Sequence, residues 1–140
     1  MTSGMYRIIE HTADTGFEVS GSTKEQVFES ATRAFFAIMW QLGVHQENEP
    51  EIIEVKGLDL EELLVNFLEE FLYLFDAKGQ VCSRIELESI TGNRLRAKAW
   101  LQKFDETRDR ELLSVKAVTY HQLFIGSRNG MWIARVFLDI

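Results

Sequence analysis

The sequence predicts an α+β domain, an antiparallel or mixed β-sheet with two long amphipathic helices packed on one face. Three observations lead there. Apolar residues recur at three- and four-residue spacings in two long stretches, residues 27–42 and 60–75, so each forms a helix with one broad apolar face. Shorter runs before, between and after them alternate apolar with polar residues, as half-buried strands do. No glycine-rich turn carries a strand into a helix, which excludes a Rossmann arrangement. At 140 residues, 46% hydrophobic and 26% charged, with no Pro/Ser/Gly-rich divider, the chain reads as one globular domain over residues 5–140. Residues 1–4 read as a leader or an expression remnant.

Taken in order, residues 5–10 and 17–21 are strands around a polar knot, Glu10-His11-Thr12-Ala13-Asp14-Thr15-Gly16. Gly16 is expected to let the backbone turn there. Ser22-Thr23-Lys24-Glu25 reads as a capping box, with Ser22 as the N-cap. The helix behind it buries Val27, Phe28, Ala31, Ala34, Phe35, Ile38, Met39 and Leu42, with Trp40 at the core's edge and Gly43 as the stop. His45 falls in a polar segment and is expected in solvent. A strand over 50–56 presents Ile53 and Val55 to one side, and Gly57 ends it. Asp59 caps the second helix, with acids where the helix dipole favours them, and that helix runs to about Phe75. Its Glu61, Glu62, Glu69 and Glu70 read as a solvated face in preference to a metal cluster, since four repelling carboxylates stay in water.

Two hairpins follow. Residues 81–90 and 95–104 flank Thr91-Gly92-Asn93-Arg94, and residues 115–125 and 131–138 flank a turn at Asn129-Gly130. Arg94, Arg96 and Lys98 share one face of a strand and Lys103 the other, a stripe expected to discourage edge-to-edge pairing. Residues 105–111 read as a surface connection.

The net charge of −7 is unevenly spread. Residues 1–79 hold 5 basic and 15 acidic side chains, and residues 80–140 hold 10 and 7. An acidic first half argues against tight, direct nucleic-acid binding and suits a basic protein partner or a divalent cation. No run is apolar enough to span a bilayer, and a signal pattern is absent, so a cytoplasmic location is expected. The single cysteine, Cys82, cannot form an internal disulfide and reads as a core residue. Walker, Gly-x-Ser-x-Gly, paired-cysteine zinc and His-Glu-x-x-His motifs are all missing, so no catalytic residue is assigned. Three sets remain: His11 with Asp14, Lys116 in Val115-Lys116-Ala117-Val118-Thr119-Tyr120-His121, and Asp139 with the end of Ile140. Acids with main-chain oxygens suit Ca²⁺, Mg²⁺ or Mn²⁺ over zinc. Strand alternation puts Lys116, Val118 and Tyr120 on one side, with Tyr120 read as structural and Trp100 and Trp132 as core or rim.

Four of these stretches together resemble the archease family: residues 6–14 ending in His-Thr-Ala-Asp; Asp59-Leu60-Glu61-Glu62-Leu63-Leu64 leading into Phe67-Leu68 and Phe71-Leu72-Tyr73-Leu74-Phe75; residues 115–121; and Phe137-Leu138-Asp139-Ile140. The likeness spans residue 6 to the last. It departs at Arg110, near where a histidine is usual, and at Ser114, where an acid is common. The resemblance implies a non-catalytic accessory protein of the RtcB-type tRNA-splicing RNA ligase, one that promotes formation of the ligase-guanylate intermediate and multiple turnover. It also implies that Asp14 and Asp139 bind a divalent cation, Ca²⁺ ahead of Mg²⁺ or Mn²⁺, with Ile140 as a further oxygen donor. Lys116 would be a cation beside them, and His11 would either orient the site by a hydrogen bond or simply pack. The competing readings are a metal-dependent phosphoester hydrolase and a general chaperone or adaptor.

Overall fold

The computed structural model describes residues 5–10, 14–45 and 47–140, with Glu10 and Asp14 known by their backbone alone. In chain order the elements are β1 (Tyr6–Glu10), β2 (Asp14–Gly21), α1 (Lys24–Met39), β3 (Trp40–Gln41), β4 (Glu51–Lys56), α2 (Leu60–Lys78), β5 (Gln80–Thr91), β6 (Arg94–Lys103), β7 (Arg110–Glu111), β8 (Ala117–Arg128) and β9 (Met131–Asp139). All pairings are antiparallel, and they form separate sheets: β1-β2-β9-β8, β4-β6-β5, and the short pair β3-β7. Helix α1 packs on β2 and β5, and α2 on β8, β4 and β5, so the helices weld both large sheets into one α+β core. Phe17, Phe28, Phe35, Phe67, Phe71, Leu63, Leu64 and Leu138 are fully buried in it.

The helix ends follow from local chemistry, shifted from expectation. Thr23, not Ser22, is the N-cap of α1: its hydroxyl accepts from the Gln26 amide at 3.1 Å. Gln26 accepts from the amide of Ser22, the residue before the cap, at 3.0 Å, so the cap lies one residue later than expected and the return bond reaches one residue behind it. The helix stops at Met39 because Trp40 turns extended (φ −135°, ψ 146°) and enters β3 directly; Gly43 lies beyond it. Trp40 is buried, stacked on Phe36 and tilted against Phe75. For α2, Asp59 accepts from the Glu62 amide at 2.8 Å as expected. That helix continues past Phe75 to Lys78, where Gly79 at φ +64° terminates it with an amide bonded to the Leu74 and Phe75 carbonyls.

Long-range contacts overturn four local expectations. His45 is buried: its side chain is 3% exposed, and Nε2 lies 2.9 Å from Oδ1 of the wholly buried Asp109. Residues 105–111 are therefore partly interior, since Asp109 also accepts from the Gly43 and Asp105 amides and from Arg108, and Arg110–Glu111 pair with β3. The basic stripe lies on β6, the central strand of its sheet, where Arg96 meets Glu54 and Glu88 and Lys98 meets Glu88; it forms cross-strand ion pairs instead of guarding an edge. Gly16 lies inside β2, with residues 11–13 of the knot outside the described residues.

Strand β8 is broken by a long bulge. Thr119 faces Phe137 and the next pair is Phe124 with Arg135, so five steps along β8 match two along β9. Residues 120–123 loop outward, with Gln122 at φ 51°, its carbonyl accepting from Nε of Arg135 at 3.2 Å.

Candidate functional site

The register of the four-stranded sheet brings the chain's two ends together. Asp14, the first residue of β2, pairs with Asp139, the last of β9, and Asp139 pairs in turn with Ala117, the first of β8. Residues opposite one another in an antiparallel ladder share a face, so positions 14, 139 and 117 form one row across three strands. The neighbouring row, Thr15, Leu138 and Val118, has Leu138 and Val118 in the core beneath the helices. Strand alternation therefore turns the Asp14–Asp139 row to the opposite face.

Asp139 and Ile140 are exposed, the latter 40%. The amide of Lys116 donates to the Asp139 carbonyl at 2.7 Å, which fixes Lys116 beside the row, with its side chain exposed. Thus Asp14, Asp139, Lys116 and Ile140 converge on one sheet end, while His11 lies outside the described residues. Among the described residues no three His, Cys, Asp or Glu side chains form a metal-binding group. The donors available here are carboxylate and main-chain oxygens, which fit Ca²⁺, Mg²⁺ or Mn²⁺ and do not fit zinc or a thiolate-loving metal.

Helix α2 reaches the same strand from the other face. Glu69 accepts from the Val118 amide at 3.0 Å, sealing a backbone donor on the edge strand β8. Glu62 accepts from the Leu58 amide at 3.0 Å. All four expected solvent-facing acids of α2 are only half-exposed, and two of them have structural partners. Tyr120 is 57% exposed in the bulge, so it is no core tyrosine. Partial burial, then the charges of Glu62, Asp59 and Glu69, hold its hydroxyl above the ordinary tyrosine pKa. Arg110 and Ser114 are both exposed; Arg110 pairs with Gln41.

A comparison with known families decides what kind of protein carries this arrangement: the model of the Archease protein family (MTH1598/TM1083) matches residues 6–140. The chain belongs to the archease family. Protein archease of Pyrococcus furiosus is 39% identical over 135 residues, covering 94% of this chain and 95% of that one. Protein archease of Pyrococcus abyssi is 37% identical with the same coverage. The solution structure of Methanobacterium thermoautotrophicum protein 1598 superimposes with a TM-score of 0.76 at 29% identity, covering 96% of this chain and 98% of that one. A Thermotoga maritima archease described as a possible chaperone shares the fold, with a TM-score of 0.63 at 23% identity.

Sequence reasoning missed two features of this archease sheet end. One is Glu69, whose carboxylate was indistinguishable from its neighbours on the helix. The other is the ring of Phe137, buried two residues before Asp139 on the same face and outside the main core cluster. Its signal was Gly16, a glycine within a strand, which marks a close approach.

Proposed function

We propose that this archease is a cation-binding accessory protein that activates an RtcB-type tRNA-splicing RNA ligase, promoting formation of the ligase-guanylate intermediate and repeated turnover. The observation that supports this reading is the register in which Asp14 faces Asp139 with the Lys116 amide on the Asp139 carbonyl. Asp14 and Asp139 would hold the cation, Ca²⁺ ahead of Mg²⁺ or Mn²⁺, with a main-chain oxygen of Ile140 as a further donor. A bound divalent ion supplies a concentrated positive charge that draws phosphate oxygens or carboxylates of the partner. Lys116, exposed at the same sheet end with its amide on the Asp139 carbonyl, offers a cation to the partner's groups, and His11 fits an orienting role. The chain's own share is to present two acids on a rigid sheet end, where docking sets them beside the ligase's nucleotide.

The test is multiple-turnover RNA ligation by the ligase with and without this protein. Asp139→Ala and Asp14→Ala should abolish the stimulation, and Lys116→Ala should reduce it by about tenfold or more, each with an unfolding midpoint close to wild type because Asp139 and Lys116 are exposed. Full stimulation by the Asp139→Ala variant overturns the proposal. Hydrolysis of phosphoesters by this protein alone in Mn²⁺ or Mg²⁺ would favour the hydrolase reading instead, and protection of unrelated unfolded clients independent of Asp14 the chaperone reading.

A further inference from the structure

On the same face as the two acids, two residues along each strand, the next row consists of Gly16, Phe137 and Thr119. Phe137 lies on the face turned away from the helices, where solvent is expected, yet it is 1% exposed. Two contacts among the described residues help to cover it. A Cβ on Gly16 would stand 2.4 Å from the Val136 carbonyl oxygen and 2.7 Å from Cδ1 of Phe137, so the ring lies directly over the glycine. From the other side the β8 bulge brings the His121 ring to 6.0 Å from the Phe137 centroid. The His121 amide donates to the Thr119 hydroxyl at 3.2 Å, which ties the start of the bulge to the same row.

Strand ends fray, and two carboxylates drawn to one ion repel each other until it arrives. A buried aromatic ring removes roughly 150 Å² or more from water and so opposes opening wherever it bridges neighbouring strands. We propose that Phe137 is a positioning residue for the Asp14–Asp139 pair: held between Gly16 and His121, it locks the ends of β2, β9 and β8 in the register a shared cation requires. This inference rests on the reading that the pair takes up a cation.

The experiment has two readouts on the full chain, both taken well below the unfolding midpoint: calorimetric titration with Ca²⁺ alone, and hydrogen exchange of the Lys116 amide, which bonds the Asp139 carbonyl. Phe137→Leu removes the ring face and Gly16→Ala pushes the ring away; each should weaken Ca²⁺ binding by about tenfold and speed Lys116 exchange by a similar factor. Leu63→Ala, a substitution in the main core, supplies the control: it should lower the midpoint and leave both readouts at wild-type values. Wild-type affinity and exchange in both site variants overturn the inference, as does an equal change in Leu63→Ala. If the wild-type protein takes up no Ca²⁺, the cation reading fails, and Lys116 exchange alone then decides whether Phe137 locks the strand ends.

Discussion

At the scale of single residues, Asp109 shows how much depends on groups far apart in sequence. Burial pushes its carboxyl up, but hydrogen bonds from Arg108, the Asp105 and Gly43 amides and His45 outweigh that and hold it down at about 2. A carboxyl with a folded pKa below its unfolded value, about 3.9, stabilises the fold fully above pH ~4 and loses that contribution as pH falls toward about 2. Asp109→Asn should therefore cost about 2 kcal/mol or more near neutrality, by leaving buried donors mispaired, and the gap to wild type should close between about pH 4 and pH 2. Unfolding midpoints of both proteins against pH check this, and a gap constant down to pH 2 would refute it. Cys82 is simpler: burial raises its thiol to about 12 against hydrogen bonds with the Arg84 and Trp100 backbone. Iodoacetamide should label it only after unfolding, on the timescale of a denaturation probe. Burial of Cys82 was legible from residue type, whereas His45 was misread because its partner lies 64 residues away.

At the scale of elements, what the sequence declared best was existence and face, and what it declared worst was ends. Both helices bury most of the residues their spacing selects, with Leu42 falling beyond α1 and Leu60 and Phe75 only half-buried, because the apolar period is a property of the helix alone. The first cap was misplaced by one residue because Ser22 and Thr23 both carry a hydroxyl able to cap and residue type alone favours serine, whereas Thr23 is the cap. Thr23→Ala should lower stability by about 1 kcal/mol and Ser22→Ala by clearly less, measured by denaturant midpoints at constant slope. Gly79→Ala should cost about 1 kcal/mol as well, since its φ of +64° is strained for any side chain although nothing crowds it. The β8 bulge was not anticipated, although Gln122 interrupts the alternation begun by Val118 and Tyr120 and Leu123-Phe124-Ile125 is apolar without a break.

At the scale of the whole molecule, the decisive pairing is β2 with β9, residues 14–21 against residues 132–139. Nothing in either stretch names the other. Alternation says that each strand has a buried face, and only topology says which strand sits beside it. Asp14 and Asp139 were coupled in advance through family likeness, and their register emerged from the fold. The same feature governs kinetics, because closing a loop of this span costs entropy before any contact repays it. Folding followed by tryptophan fluorescence should relax in milliseconds to seconds, not microseconds, and a microsecond phase carrying the full amplitude would contradict this. Because β9 follows β2 and β8 in chain order yet lies between them, a growing polypeptide holds both flanking strands with no neighbour at that edge until β9 emerges. During synthesis those bare margins are where a ribosome-bound holdase should engage the nascent chain, and where stalled translation should leave it sticky.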